Sequence, residues 1–237
     1  MTPADLEHIA QETRHVAGLP TSLGGSGDTS QQTGLGVYLG MKACAKAAWG
    51  SESLEGRVVA MQGFGNVATH TASHLLEEGA EIVAADINED ALDRARGVGA
   101  RVVGVEEIYD TECDIFAPCA LGGSLNGETI PRLRCTVVAG GANNQLASEE
   151  DGVELQRRGI LYAPDYVINA GGIINVSCEM DGVYRPERAR ELTERIYDTL
   201  ERVIDISRND DVPTNVAADR LAERRLRAVR GLKRLDR

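Results

Sequence analysis

The chain has 237 residues, 42% of them hydrophobic and 26% charged, the balance of an ordinary soluble globular protein with ample length to bury a core. Its formal charge of −12 argues against nucleic acid or an anionic membrane surface as the main partner. No apolar run reaches the roughly 18 residues that a bilayer span needs, and the opening MTPADLE is neither a signal nor a transit peptide, so a cytoplasmic location is expected.

A short amphipathic segment opens the chain, and the glycine-rich GLPTSLGGSGDTS at 18–30 divides it from the rest. From Ser30 to Trp49 small and apolar residues recur at helical spacing, and Gly50 supplies a stop. GRVVAMQGFG then reads as a buried parallel strand, rich in valine and ended by glycine. Residues 67–78 form the next predicted helix, EIVAAD the next strand and residues 89–96 the helix after it. This strand–helix–strand unit spans about thirty residues, as a right-handed crossover requires. CDIFAPCA at 113–120, TVVAGGA at 136–142 and ILYAPDYV at 160–167 each begin as a short apolar strand and end in small, polar or proline residues.

Five or more parallel strands with intervening helices imply an α/β fold, a doubly wound parallel sheet in one domain over 1–237, with 1–50 and 187–237 as helical flanks. Two helices close the chain. The first, at 187–208, is expected to bury Leu192, Ile196, Leu200 and Val203, and the second runs from about residue 216 to 232.

The chemistry starts at the first strand–helix junction. Gly63-x-Gly65-x-x-Ala68 has the pattern of a dinucleotide-binding turn with alanine in third place. Gly63 allows the tight turn, Gly65 lets backbone approach a pyrophosphate, and Ala68 lets the helix sit close on the strand. The anion would meet unpaired N–H groups and the positive end of a helix dipole, which makes Asn66 and Val67 further candidate contacts. Asp86 ends the next strand about twenty positions on, where its carboxylate can accept hydrogen bonds from an adenosine ribose 2′-OH and would repel a 2′-phosphate. No arginine directly follows it in DINEDA, so NAD is expected rather than NADP.

Other residues read blandly. The five cysteines are scattered without a CxxC pair, as small apolar groups usually are. His70 and His74 stand at i, i+4 on a helix with no third ligand nearby, so no metal is expected. The arginines of RLAERRLRAVRGLKRLDR lie among acidic residues such as Asp219 and Glu223, the pattern of a solvated or interdomain helix face. Trp49, at a helix end, reads as packing.

Six segments carry a resemblance: SGDTSQQTGLGVYLGMKA, QGFGNVA, ECDIFAPCALGG, AGGANNQL, APDYVINAGGIINV and VPTNVAADRLAE. On these the chain resembles the leucine, phenylalanine, valine and glutamate dehydrogenases, and the leucine branch above all, over nearly its whole length. The resemblance implies the NAD(P)-binding Rossmann fold and the cofactor domain of an enzyme that oxidatively deaminates an L-amino acid to a 2-oxo acid and ammonia. It implies that Thr33 lies near the nicotinamide and that Ala120 approaches the nicotinamide ribose. Asn144 and Asn169 would hold the nicotinamide amide or the substrate carboxylate, a role that suits a side chain offering both donor and acceptor. Leu200 and Val203 fall at helix positions that line the side-chain pocket in the family. They suit a branched-chain amino acid, and core packing explains them equally well. A homo-oligomer is implied too.

The family pattern also has an N-terminal substrate domain, which supplies a glycine-rich loop with a catalytic lysine, a second lysine for the substrate carboxylate and an aspartate for proton transfer. Met1 falls just after the point where that domain should end. The only lysines are Lys42, Lys46 and Lys233, and none stands in such a loop. Oxidative deamination needs hydride transfer from Cα and then water attack on an imine, helped by a lysine of lowered pKa and a carboxylate. The expectation is a cofactor half with no catalytic residue of its own, inactive without a substrate domain that a separate polypeptide could supply. Two alternatives stay open. One is a non-catalytic NAD-binding or assembly protein derived from the family. The other is a dehydrogenase of different chemistry using Asp165 and Cys119, neither with a visible activating partner.

Overall fold

A computed structural model of the chain describes residues 3–13, 15–180 and 183–232; Lys233 lies outside them. Helix α1 (Pro3–Glu12) leads through the glycine-rich loop to α2 (Ser30–Trp49), which Gly50 closes in the left-handed conformation at φ 77°. The loop is held by one carboxylate: Glu179 accepts N–H groups of Gly18 at 2.9 Å, Leu19 at 3.3 Å and Ser26 at 2.8 Å. Burial pushes this carboxyl up, but its hydrogen bonds with Ser26, Gly18 and Leu19 outweigh burial and hold it below the ordinary carboxylate range.

Parallel strands β1 (Val58–Gln62), β2 (Glu81–Ala85), β3 (Arg101–Val102), β4 (Ile115–Pro118), β5 (Val137–Val138) and β6 (Leu161–Tyr162) form one sheet in the order β3-β2-β1-β4-β5-β6. The helices between and after them are α3 (Asn66–Glu77), α4 (Glu89–Gly97), α5 (Glu149–Arg157), α6 (Asp165–Ile168), α7 (Gly171–Met180), α8 (Pro186–Asp210) and α9 (Thr214–Leu232). The winding reverses between β1 and β4. At such a reversal the loops leaving the two strands part to opposite faces and open a crevice at their carboxyl ends.

Both faces of the sheet are buried, which is why its strands read as unbroken apolar runs rather than alternating ones. Val59, Met61, Ile82, Ala84, Ile115 and Val137 pack on one face beneath α2, α3, α4 and α8. Ala60, Val83, Phe116 and Val138 point to the other, onto Ile108, Leu125, Ile130 and Leu155. Small residues let α2 sit tightly between its neighbours: a Cβ added at Gly34 would lie 2.6 Å from His70 Cβ, and one at Gly40 would lie 2.8 Å from Leu200 Cδ1.

The elements differ from the sequence reading in three respects. Strand β3 was not anticipated, since two residues are too few to show a period; it forms because Val83 pairs with Arg101 and Ala84 with Val102. Helices α5 and α7 were not anticipated either, and the strand expected at the start of 160–167 is only Leu161–Tyr162, followed after Pro164 by α6. On α8, Leu192 is only half-buried, and Thr193 is buried beside it with its hydroxyl bonded to the Ala189 carbonyl at 2.8 Å. No helix among the described residues is long and apolar enough to cross a membrane.

Candidate cofactor-binding site

The two glycines of the first turn are glycines for different reasons. Gly63 has φ 95°, and a Cβ there would lie 2.8 Å from both the backbone nitrogen and the Cβ of Ala120. The turns leaving β1 and β4 therefore touch across the reversal point, and no side chain fits between them. Gly65 has an ordinary φ of −76°, and a Cβ there would meet nothing within 4 Å. Neither conformation nor packing within the chain requires glycine at 65; what it keeps is empty space over the first turn of α3. No side chain caps α3, so the N–H groups at Asn66 and Val67 stand at an open, positive helix end. Phe64, fully buried between the two glycines, anchors the turn from below. This cradle fits a pyrophosphate.

Asp86 is already at work in the turn. Its Oδ2 accepts the Phe64 N–H at 2.7 Å and its Oδ1 accepts the Asn88 N–H at 2.9 Å. The carboxylate is partly exposed, and each oxygen keeps a further lone pair for a ribose hydroxyl. Arg94 from α4 donates to the Phe64 carbonyl at 3.3 Å, so both backbone polar groups of Phe64 are tied. Sequence reading missed Arg94, because thirty residues separate it from its partner and no motif links them.

The other wall is built by the turns after β4, β5 and β6. Ala120 is exposed at the end of β4. Asn144 has a positive φ of 52°, uncommon for a residue with a side chain, and two bonds hold it there. Its N–H donates to Asp165 Oδ2 at 2.7 Å, and its carbonyl accepts the Gly123 N–H at 2.7 Å. Asn169 donates from Nδ2 to Asn143 Oδ1 at 2.7 Å; Asn143, unremarked in the sequence, thus orients its neighbour. Thr33, nearly buried in the first turns of α2, donates to the Thr29 carbonyl, and a Cβ at Gly172 would lie 2.8 Å from its hydroxyl. A Cβ at Gly141 would likewise lie 2.8 Å from Val67 Cγ1. These contacts place Gly63, Gly65, Asn66, Val67, Ala120, Asn144 and Asn169 at the carboxyl ends of β1, β4, β5 and β6, with Thr33 packed against Gly172 beside them and Asp86 at the end of β2.

Several other candidates lie elsewhere. Leu200 and Val203 are fully buried, the first against Gly40 and the second with Ala217 and Ala218, and core packing accounts for their aliphatic character. Lys42 is paired with Glu78 at 2.8 Å and Lys46 with Glu201 at 3.0 Å, on the half of α2 remote from Thr33. His74 stacks on Tyr38 with ring centroids 5.1 Å apart, and burial lowers its pKa. Among the described residues no three histidine, cysteine or acidic side chains are grouped to hold a metal ion.

The different-chemistry reading loses both of its groups. Asp165 is 9% exposed and its second oxygen accepts the Tyr162 hydroxyl at 3.0 Å, so it is a positioning carboxylate. Burial pushes the Cys119 thiol up to about 11, which leaves it protonated and inert. A cavity of about 520 Å³ lies beneath β5 and β6, lined by Ala47, Thr136, Gln156, Tyr162, Arg208 and Asp211, and takes no part in the crevice.

Comparison with known proteins agrees with this geometry. The family described as Glutamate/Leucine/Phenylalanine/Valine dehydrogenase matches over residues 24–98 and 86–230. The leucine dehydrogenase of Geobacillus stearothermophilus is 53% identical over 230 residues, covering 97% of this chain and 62% of that protein. The phenylalanine dehydrogenase of Thermoactinomyces intermedius is 43% identical over 236 residues, covering 98% and 64%. Among solved structures, the L-tryptophan dehydrogenase from Nostoc punctiforme matches with a TM-score of 0.82 at 46% identity, over 85% of this chain and 62% of that one. The chain therefore spans less than two thirds of the length of these relatives. A six-stranded sheet wound as the sequence implied, a glycine turn held open at its crevice and identity of this order across nearly every residue lead to one conclusion: the chain belongs to the glutamate/leucine/phenylalanine/valine dehydrogenase family.

Proposed function

We propose that this chain is the NAD-binding part of an amino-acid dehydrogenase that oxidatively deaminates an L-amino acid with an apolar side chain. The observation that carries the reading is Gly65, a glycine with ordinary backbone angles and nothing around its missing Cβ, set at the uncapped start of α3. Gly63, Gly65, Asn66 and Val67 would hold the pyrophosphate, and Asp86 the adenosine ribose. Thr33, Ala120, Asn144 and Asn169 would orient the nicotinamide and the substrate carboxylate from the cofactor side. NAD, when bound, supplies the hydride acceptor. The names of the relatives, leucine, phenylalanine and L-tryptophan dehydrogenases, support an apolar amino acid as substrate class.

Turnover needs proton transfer as well as a bound cofactor, and orientation plus acid–base help supply most of the acceleration. Lys42 and Lys46 are both engaged in ion pairs away from the crevice, and Asp165 is spent on Asn144 and Tyr162. Residues 1–237 alone are therefore expected to bind NAD in calorimetry but to form no reduced nicotinamide with leucine, valine, phenylalanine or glutamate. Adding the substrate domain of a family member, fused or in trans, should restore turnover. Failure to bind NAD overturns the cofactor site. Robust turnover by the purified chain alone overturns the assignment of proton chemistry to a substrate domain, and binding with no rescue favours a non-catalytic NAD-binding protein.

A further inference from the structure

Two cysteines that the crevice does not use stand side by side at the opposite end of the sheet. Cys113 leads into β4 and Cys135 into β5. The parallel ladder makes them neighbours: Glu112 bridges Arg134 and Ile115 pairs with Val137, so the same offset sets Cys113 beside Cys135. The Cys113 N–H donates to the Arg134 carbonyl at 3.2 Å. Lateral neighbours in a sheet share a face at about 4.8 Å between strands. That spacing falls within the roughly 4.4–6.8 Å between Cα atoms that a disulfide spans. The two thiols are close enough for each to shift the other's titration. Both residues are partly exposed, whereas Cys44 and Cys178 are buried.

The pair is chemically asymmetric. Interaction with Cys113 is the main reason that Cys135 is held below the ordinary thiol range; burial opposes it, and the Arg158 charge adds to it. Arg158 is fixed nearby by bonds to the carbonyls of Ile130 at 2.6 Å and Leu133 at 3.2 Å. Cys113 is pushed up by interaction with Cys135 and by burial. Either thiol of such a pair can resolve a sulfenic acid on the other, and the Arg158 charge beside Cys135 favours Cys135 as the nucleophile.

We propose that Cys113 and Cys135 are a redox modification site, closed to a disulfide by a hydroperoxide and reopened by thiols. The Cys135 thiolate attacks one peroxide oxygen and the O–O bond breaks. The departing hydroxide takes up the proton released from Cys135 and leaves as water, with Cys135 left as a sulfenic acid. The Cys113 sulfur then attacks the Cys135 sulfur, the S–O bond breaks, and hydroxide leaves with the Cys113 proton as a second water. Two thiols lose two electrons in all, and one hydrogen peroxide is reduced to two waters. The bond formed ties the segment leading into β4 to the one leading into β5, bracketing the stretch that carries Ala120.

The chain treated with hydrogen peroxide, then denatured, alkylated with N-ethylmaleimide and digested with trypsin, tests this directly, because Arg132 and Arg134 separate the two cysteines. The expected product is peptide 102–132 joined to peptide 135–157, lighter than their sum by two hydrogen atoms, with Cys119 alkylated and the link released by dithiothreitol. In Cys113→Ser, dimedone should trap a sulfenic acid on Cys135, and in Cys135→Ser the label on Cys113 should be weaker, because Arg158 stands beside Cys135. An unchanged circular dichroism spectrum shows that each variant is folded. Recovery of both peptides unlinked from the parent chain, or dimedone on Cys119 or Cys178 in place of Cys135, overturns the proposal.

Discussion

Both walls of the crevice use the same device, an aspartate accepting a backbone N–H from a turn at 2.7 Å, yet the two aspartates do different work. Asp86 holds Phe64 in the turn after β1, and Asp165 holds Asn144 in the turn after β5. Asp86 is partly exposed, so it can serve a ligand while it shapes the turn. Asp165 is nearly buried, so it acts inside the protein, through Asn144 and Tyr162. The lesson is that two carboxylates with equal internal hydrogen bonding differ by exposure, which decides whether the remaining lone pairs can meet a ligand.

The largest expected effect breaks the first wall outright. Gly65→Val would fill the space over α3, and NAD binding should fall by at least about a hundredfold, roughly 2.7 kcal/mol, while the fold is retained. Calorimetry with NAD measures this. A variant that binds like the parent would mean that the open space at Gly65 holds no phosphate.

The second test separates the walls. Asp165→Asn turns an acceptor pair into one acceptor and one donor, which leaves the Asn144 N–H or the Tyr162 hydroxyl poorly matched at a buried site. Denaturant unfolding should show a loss of about 1–3 kcal/mol. Binding of NAD should weaken while binding of ADP-ribose, which meets only the first wall and the central turns, stays near the parent value. Equal weakening of both ligands would show that Asp165 supports the sheet as a whole.

The smallest effect concerns Asp86 itself. A carboxylate at the ribose should favour NADH over NADPH by at least tenfold, about 1.4 kcal/mol, and Asp86→Asn should shrink that ratio. Fluorescence titration with the two cofactors reads it. Equal affinities in the parent chain would remove Asp86 from the ribose, and Arg94, fixed on the Phe64 carbonyl, would be the next residue to vary.

Local spacing is enough to specify much of this molecule. The span Ser30–Trp49, the glycine turn, the acidic residue that ends β2 and the alternation of strands with helices all depend on contacts within a few residues, and their periods and stops are written in the chain itself. Tertiary structure decided the rest. Strand β3 exists because β2 offers an edge for Arg101 and Val102 to pair with. Asp165 reads in the sequence as a candidate acid and proves to be a brace, since its partner Asn144 meets it only when the ends of β5 and β6 are side by side. The difference between Gly63 and Gly65, and the pairing of Cys113 with Cys135, have the same origin. What a residue can do depends on which groups share its surroundings, and those groups come from distant parts of the chain that meet only when the sheet is wound.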